Sequence, residues 1–195
     1  MSETRRAFLL GGAALLLPSL SIGRASAAEQ LHIGAARGSI DFSIGDSKIF
    51  RTTGSFKEWQ GMVLVDDNDV ARSTVQVNIN TGSIEMLDSQ QSEMLKDADF
   101  FDVAKFPKMT YVSSKITRTS DSSLTVEGAI TLRGITRPMP LQVSVTDRKP
   151  DAPAGARYAR FHAEGNLKRS EFGMVKYLDV VGDTVDFSIR TDAWR

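Results

Sequence analysis

Residues that could do chemistry are scarce in this chain of 195. There is no cysteine, and the two histidines, His32 and His162, stand far apart without a spaced partner. The missing thiols rule out disulfide frameworks, Cys-type zinc sites, iron–sulfur clusters and thiol catalysis together. With so few histidines a metal site would need almost wholly oxygen ligands, and none is expected. No nucleophile lies at catalytic spacing from a base, so the chain reads as a protein that is not an enzyme. A Tyr, Asp or Lys working in an apolar cavity is the catalytic route left open, because such surroundings shift pKa values. Asp99 and Asp102 read as turn or helix-terminal caps, not as an acid pair.

Charge adds one exclusion. The 24 Lys+Arg balance the 24 Asp+Glu, whereas a nucleic-acid binder normally shows a basic excess. The clearest chemical signal is an address. Arg5-Arg6 precedes Phe8-Leu9-Leu10 and an apolar run that ends at Pro18, and Ala25-Ser26-Ala27 offers the small-x-small pattern of a signal peptidase site. The run is too short to span a bilayer, which takes about 20 residues. The arrangement resembles a twin-arginine signal read by the Tat translocase, with a general Sec signal as the alternative. Residues 1–27 are therefore expected to be a signal peptide carrying Arg5, Arg6, Ala25 and Ala27. Residues 28–38 are expected to be a flexible N-terminal arm, and 39–195 the folded domain. An exported, soluble periplasmic protein follows.

The elements that must position any site alternate with a period of two, the mark of half-buried strands. Ile40, Phe42 and Ile44 alternate with Asp41 and Ser43, and Val75, Val77 and Ile79 with Gln76, Asn78 and Asn80. The same rhythm joins Leu124, Val126, Gly128, Ile130 and Leu132, then Leu141, Val143 and Val145. It recurs in Phe161, Ala163, Gly165 and Leu167, and in Val185, Phe187 and Ile189. Gly61 to Val65 is almost wholly apolar. Asp66-Asp67-Asn68-Asp69, Ser120-Asp121-Ser122 and Gly182-Asp183 read as turns, and Lys149 to Ala156 as a mobile loop. Asp88 to Lys96 lacks β-branched residues and opens on the cap pair Asp88 and Gln91, so a short helix is expected near 88–97. Seven or eight strands with short links suggest an antiparallel sandwich or a closed barrel.

At about eight strands a barrel interior is either filled or holds one small ligand. Gly128, Ala163 and Gly165 occupy inward positions where a filled core would want Leu or Ile. They are consistent with space kept for a guest, or with close backbone approach at a bulge or corner.

A series of motifs resembles the YceI-like family of periplasmic, lipocalin-like barrels that bind polyisoprenoid lipids. It begins at Gly54-Ser55-Phe56 with Gly61, and is densest at Asp99-Phe100-Phe101-Asp102 with Lys105-Phe106-Pro107. It continues through Gly128 to Pro138, then Arg169-Ser170-Glu171-Phe172-Gly173-Met174 and Val181-Gly182-Asp183. The family often has Arg-Asp-x-His-Leu where this chain reads Gln91-Ser92-Glu93-Met94-Leu95, and a histidine near Asp46 that is absent here. These departures bear on the polar end of the tunnel rather than its apolar wall.

The resemblance implies an all-β, lipocalin-like antiparallel β-barrel enclosing a long apolar tunnel. Its ligand is an isoprenoid lipid, either an isoprenoid quinone or a polyprenyl chain, with no cofactor, and a homodimer is possible. Burial of such a chain stabilises it by roughly 25 cal/mol per Å². Aromatic and Met side chains suit the wall: Phe42, Phe56, Trp59, Met62, Phe100, Phe101, Phe106, Met109, Tyr111, Phe161, Phe172 and Met174. The inward positions Ile44, Leu64, Val77, Ile79, Gly128, Ile130, Leu132, Leu141, Ala163, Gly165 and Phe187 complete it. Ordinary core packing is the alternative for each. The Phe100-Phe101 pair belongs in a turn or helix end at the mouth, since a strand would turn one ring to water. Lys105, Arg133, Arg137 and Arg169 could meet a phosphate or quinone oxygen, although readable strand parity points them to a solvated face. Three other classes compete with a carrier: an enzyme acting on an apolar lipid, an outer-membrane barrel, and a filled β-sandwich that binds a partner.

Overall fold

The computed structural model describes residues 28–45 and 51–195. The expected signal residues Arg5, Arg6, Ala25 and Ala27 lie outside these. Alternating apolar side chains build eight strands into a ring. They are β1 (Glu29–Gly34), β4 (Trp59–Val65), β5 (Thr74–Asn80), β7 (Lys108–Arg118), β8 (Ser123–Leu132), β10 (Leu141–Thr146), β11 (Arg157–Lys168) and β12 (Thr184–Trp194). They pair antiparallel in that order, and His32 opposite Trp194 closes β12 onto β1. The expected antiparallel barrel is therefore present, and the sandwich reading is overturned by that closing pair.

Residues 28–38 are not a loose arm. Leu31 is fully buried, and β1 pairs with β4 from Glu29 opposite Val65 to Gly34 opposite Gln60. Its short apolar series Leu31–Ile33 was too brief to show a period before the kink at Ala35–Arg37.

Below that kink the chain continues as β2 (Gly38–Ile44), still paired to β12. Two neighbouring strands bend at the same level. β3 (Thr52–Phe56) runs into β4 through Lys57-Glu58, and β5 runs through Thr81–Ser83 into β6 (Ile84–Met86). The bends interlock: the Lys57 amide donates to the Ser83 carbonyl at 3.1 Å, and the Asn80 amide to the Glu58 carbonyl at 2.9 Å. Three long bent strands thus wall the upper and lower halves in turn.

The lower half is closed by something other than sheet. On one side β6 pairs with β3, and on the other β9 (Ile135–Pro138) pairs with β8. Between them runs the helix α1 (Ser89–Lys96) and the segment 97–107. Asp88 caps α1 by accepting from the Gln90 and Gln91 amides, as expected. Ser92 accepts from the Met86 amide at 2.9 Å, which occupies a donor of the short edge strand. On the far side Arg133 donates to the carbonyls of Ala98 (2.8 Å) and Phe100. It can do so because Arg133-Gly134 is a two-residue turn with both φ positive, at 52° and 73°.

The segment after β11 is held by Asp183, which accepts from the Ser170 amide at 2.8 Å and the Ser170 hydroxyl at 2.7 Å. Burial pushes the Asp183 carboxyl up, but these two donors and the charge of Arg169 outweigh it and hold it below the ordinary carboxylate range.

Two inward glycines serve the protein's own side chains. A Cβ on Gly128 would stand 2.4 Å from the Tyr111 hydroxyl oxygen and 2.7 Å from the Val112 carbonyl. The bulge at Ser113–Lys115 lies opposite. A Cβ on Gly165 would stand 2.6 Å from a Leu141 methyl. Neither position is space kept for a guest, and that expectation is corrected for both.

Gly128→Leu is expected to lower the unfolding free energy by about 1–3 kcal/mol in urea denaturation, as overpacking does. Tyr111→Ala in the same chain should restore part of that loss. The Asp183 contribution has a defined sign. A depressed native pKa gives stability that is complete above the ordinary carboxylate pKa of about 3.9 and is lost as pH falls through the native value. Ser170→Ala should therefore narrow the stability difference between neutral and acidic pH, measured by thermal melts at several pH values.

Candidate functional site

The inward residues of the ring leave its middle hollow. An upper chamber of about 250 Å³ has wall residues from all eight ring strands. They include Ile33 of β1, Trp59 and Val63 of β4, Val77 and Ile79 of β5, and Met109, Tyr111 and Ile116 of β7. Val126 and Ile130 of β8, Leu141 and Val143 of β10, Phe161 and Ala163 of β11, and Ile189 of β12 complete it. A lower chamber of about 160 Å³ is walled by Phe42, Ile44, Phe56, Leu132, Leu167, Val185 and, from the helical side, Met94, Leu95, Phe100 and Phe101. Met174, Tyr177 and Val181 also line it.

The resemblance implied one long tunnel, whereas two chambers are present. Phe187 belongs to the wall of both. Its ring lies 6.4 Å from that of Phe42, which lies 5.6 Å from that of Phe56. This aromatic group is the partition. Phe56 in turn meets Phe101 edge-on at 5.7 Å. The expected placement of Phe100-Phe101 at a helix end holds: both follow α1, with the Phe101 amide donating to the Leu95 carbonyl at 3.0 Å.

Of the expected wall, Phe42, Ile44, Phe56, Trp59, Val77, Ile79, Phe100, Phe101, Met109, Tyr111, Ile130, Leu132, Leu141, Phe161, Ala163, Met174 and Phe187 line a chamber. Six do not. Met62 is 39% exposed and opposes His32 and Gln76 on the outer face, and Leu64 shares its parity. The run Gly61–Val65 is apolar on both faces, so its parity could not be read. Phe106 lies outside beneath Arg133 and Lys105, 6.0 Å and 5.8 Å from its ring. Phe172 is fully buried but borders neither chamber. Gly128 is covered by Tyr111, and Gly165 borders an outer groove with Glu164 and Asn166.

Two buried polar wall residues stand out, one absent from the expected wall and one expected on a solvated face. Tyr158 is 1% exposed and lines the upper chamber. Simple alternation from Phe161 and Ala163 turns it outward, but the irregularity at Arg157–Ala159 reverses it. Its hydroxyl donates to Asp67 at 3.1 Å and accepts from Arg148 at 3.3 Å, and Arg148 also pairs with Asp67. Asp67 lies between β4 and β5, and Arg148 between β10 and β11, so this trio ties two loops together at the upper mouth. Burial raises the Tyr158 pKa, with Arg148 opposing. Burial also pushes the Tyr111 phenol up to about 12, so it stays neutral in the chamber wall.

The second is Arg169. It is 5% exposed and lines the lower chamber, contrary to the solvated face expected for it. The signal was present, since Arg169 continues the inward series Phe161, Ala163, Gly165 and Leu167. Nε donates to the Gly182 carbonyl at 2.9 Å, and Nη1 to those of Met174 (3.1 Å) and Lys176 (2.7 Å). Burial lowers its pKa from the usual guanidinium value, with the Asp183 charge opposing. Nη2 is buried without a partner, and so is Trp59 Nε1 in the upper wall. The other cations have structural or solvent roles: Arg133 ties the 98–100 backbone, Lys105 covers Phe106, and Arg137 is exposed. Asp102, with φ of 47°, takes the amides of Lys105 and Phe106 on its carbonyl in a turn, while Asp99 pairs with Lys176.

Among the described residues no cluster of three His, Cys, Asp or Glu could hold a metal ion, and no helix is long and apolar enough to cross a membrane. The outer faces of β11 and β12 carry Arg160, Glu164, Arg190 and Asp192, with Arg160 bonded to Asp192 at 2.8 Å. That face is unlike the apolar band of an outer-membrane barrel.

A family model described as the YceI-like domain matches residues 31–193. Protein YceI of Salmonella arizonae is 31% identical over 139 residues, which are 71% of this chain and 72% of that protein. Among solved structures, Burkholderia cenocepacia BcnA superposes with a TM-score of 0.70 at 24% identity, covering 83% of this chain and 98% of BcnA. A polyisoprenoid binding domain from Saccharophagus degradans gives 0.64 at 12% identity, covering 86% of this chain and 98% of the domain. The extent of the family match and the identity to the Salmonella protein agree with the closed ring and its bent strands: the chain belongs to the YceI-like family.

Proposed function

We propose that this protein is a non-catalytic carrier that holds one polyisoprenoid lipid, an isoprenoid quinone or a polyprenyl chain, along the axis of its barrel. The carrying observation is the pair of apolar chambers stacked inside a closed ring and parted by the Phe187 ring. An apolar core this large would ordinarily be filled. An unfilled apolar cavity costs about 24 cal/mol per Å³, so the upper chamber alone costs roughly 6 kcal/mol when empty. A hydrocarbon guest offsets that cost, and its methyl branches suit a wall of Ile, Val, Phe and Met. The polyisoprenoid-binding relative supports the same ligand class. Export through the Tat translocase to the periplasm remains part of the proposal, resting on Arg5, Arg6 and the Ala25-Ser26-Ala27 site.

For the lipid to lie across both chambers, Phe187 must rotate or the chain must pass beside it. Entry at the upper end requires the Asp67–Arg148–Tyr158 contacts to part.

Organic extraction of the purified protein followed by mass spectrometry should release an isoprenoid in stoichiometric amount, and stripping it should lower the melting temperature by several degrees. Protein that is lipid-free, and whose melting temperature ignores added prenyl lipid, would contradict the carrier reading. Ala163→Phe, which projects a ring into the upper chamber, should lower prenyl-lipid affinity at least tenfold, roughly 1.4 kcal/mol, while the protein still folds by circular dichroism. Asp67→Asn should speed transfer of a fluorescent prenyl lipid to acceptor vesicles with little change in equilibrium affinity.

A further inference from the structure

Arg169 is the buried cation of the lower wall, and its bonding is incomplete. Five N–H groups on a guanidinium call for acceptors. Nε and Nη1 have theirs in the carbonyls of Gly182, Met174 and Lys176, and Nη2 has none. Asp183, the carboxylate whose charge acts on Arg169, is engaged by the amide and hydroxyl of Ser170. Arg169 is 5% exposed, so its contact with bulk water is slight. A buried donor left without an acceptor costs more when it is charged, and fixing three of the five N–H groups to backbone holds the other two, on Nη2, in place. Of the other polar groups of this wall, Lys176 pairs with Asp99, Gln91 lies at the exposed surface of α1, and Thr52 is neutral and half-buried. The upper chamber's unpartnered donor, Trp59 Nε1, is neutral and carries a smaller penalty.

We infer that Arg169 Nη2 is the anchor for an acceptor oxygen on the polar end of the guest, so that the headgroup sits in the lower chamber and the tail passes Phe187 into the upper one. This rests on the carrier reading above and adds a direction to it. The chemistry required is an oxygen lone pair, which a quinone carbonyl and a prenyl phosphate both supply. A hydrocarbon terminus supplies none.

The test uses the full mature chain stripped of lipid and three probes sharing one tail: farnesyl benzoquinone, farnesyl diphosphate and farnesene, titrated by calorimetry. At least one oxygen-bearing probe should bind about tenfold or more tightly than farnesene, the scale of a hydrogen bond to a charged group. A lead for the quinone assigns the acceptor to a carbonyl, and a lead for the diphosphate assigns it to phosphate. Arg169→Lys should close the gap by weakening the oxygen-bearing probe alone, while Lys176→Met should leave the gap intact. If Arg169→Lys does not fold, the wild-type series and the Lys176 variant decide. Farnesene binding as tightly as both headed probes would overturn the Arg169 anchor and leave the carrier reading standing. So would a gap that persists in folded Arg169→Lys. Binding of none of the three would instead overturn the carrier reading itself.

Discussion

An apolar interior that its own side chains do not fill is the constraint from which the other features follow. Two chambers of about 250 and 160 Å³ mean that many inward Ile, Val and Phe side chains forgo contacts on one side. At roughly 6 kcal/mol for the upper chamber alone, the deficit is comparable with the whole net stability of an ordinary domain, about 5–15 kcal/mol. The frame must therefore be held open by something other than the core. A closed ring does this, because every strand is hydrogen-bonded on both sides and cannot slide inward without breaking register. Long ladders at β11 and β12, paired from Lys168 opposite Thr184 to Ala159 opposite Ala193, supply the stiffest part of that frame.

Length is the second demand, and the bends meet it. A plain eight-stranded ring is as tall as its strands. Here β1/β2, β4/β3 and β5/β6 each continue past a kink, and Lys57, Glu58, Asn80 and Ser83 bond across the last two kinks so that those two turn together. The extension leaves a gap where β6 and β9 do not meet, and α1 with residues 97–107 stands in it. Arg133 fastens that insert to the β8–β9 turn. Phe100 and Phe101 then become wall residues although they belong to no strand, which is why neighbours in sequence can both face inward.

Much of this was legible in the chain. Alternation found the inward faces of β2, β5, β8, β10, β11 and β12, and turn chemistry found most of the links. The cap at Asp88 located α1 to within a residue. What failed did so for identifiable reasons. Periodicity needs contrast, and Gly61–Val65 has none, so Met62 and Leu64 could not be told from Val63. Alternation also assumes regular pairing. The irregularity beside Tyr158 turned an outward position inward, and the bulge opposite Gly128 brought Tyr111 over a glycine. The inference from missing side chains to reserved space failed there because an aromatic neighbour on the next strand fills such a gap. Arg169 is a different failure: it stood among the candidates for a headgroup oxygen, but its parity was taken as outward although it continues the inward series of β11.

The polar groups are distributed unequally between the two ends, and the asymmetry has a physical reading. At the upper mouth Arg148 and Asp67 have side chains 44% and 40% exposed. Such a pair exchanges for water at small cost, since exposed ion pairs are typically worth about 0–1 kcal/mol. Beneath it Tyr158 is buried, so the latch has an apolar underside but a solvated clasp. At the lower end the cation is buried and bound to three carbonyls, and opening it would strand several polar groups at once. Breaking a buried charged contact costs several times more than parting a surface pair. The upper loops are therefore the softer end of the frame, while the lower end is the fixed one.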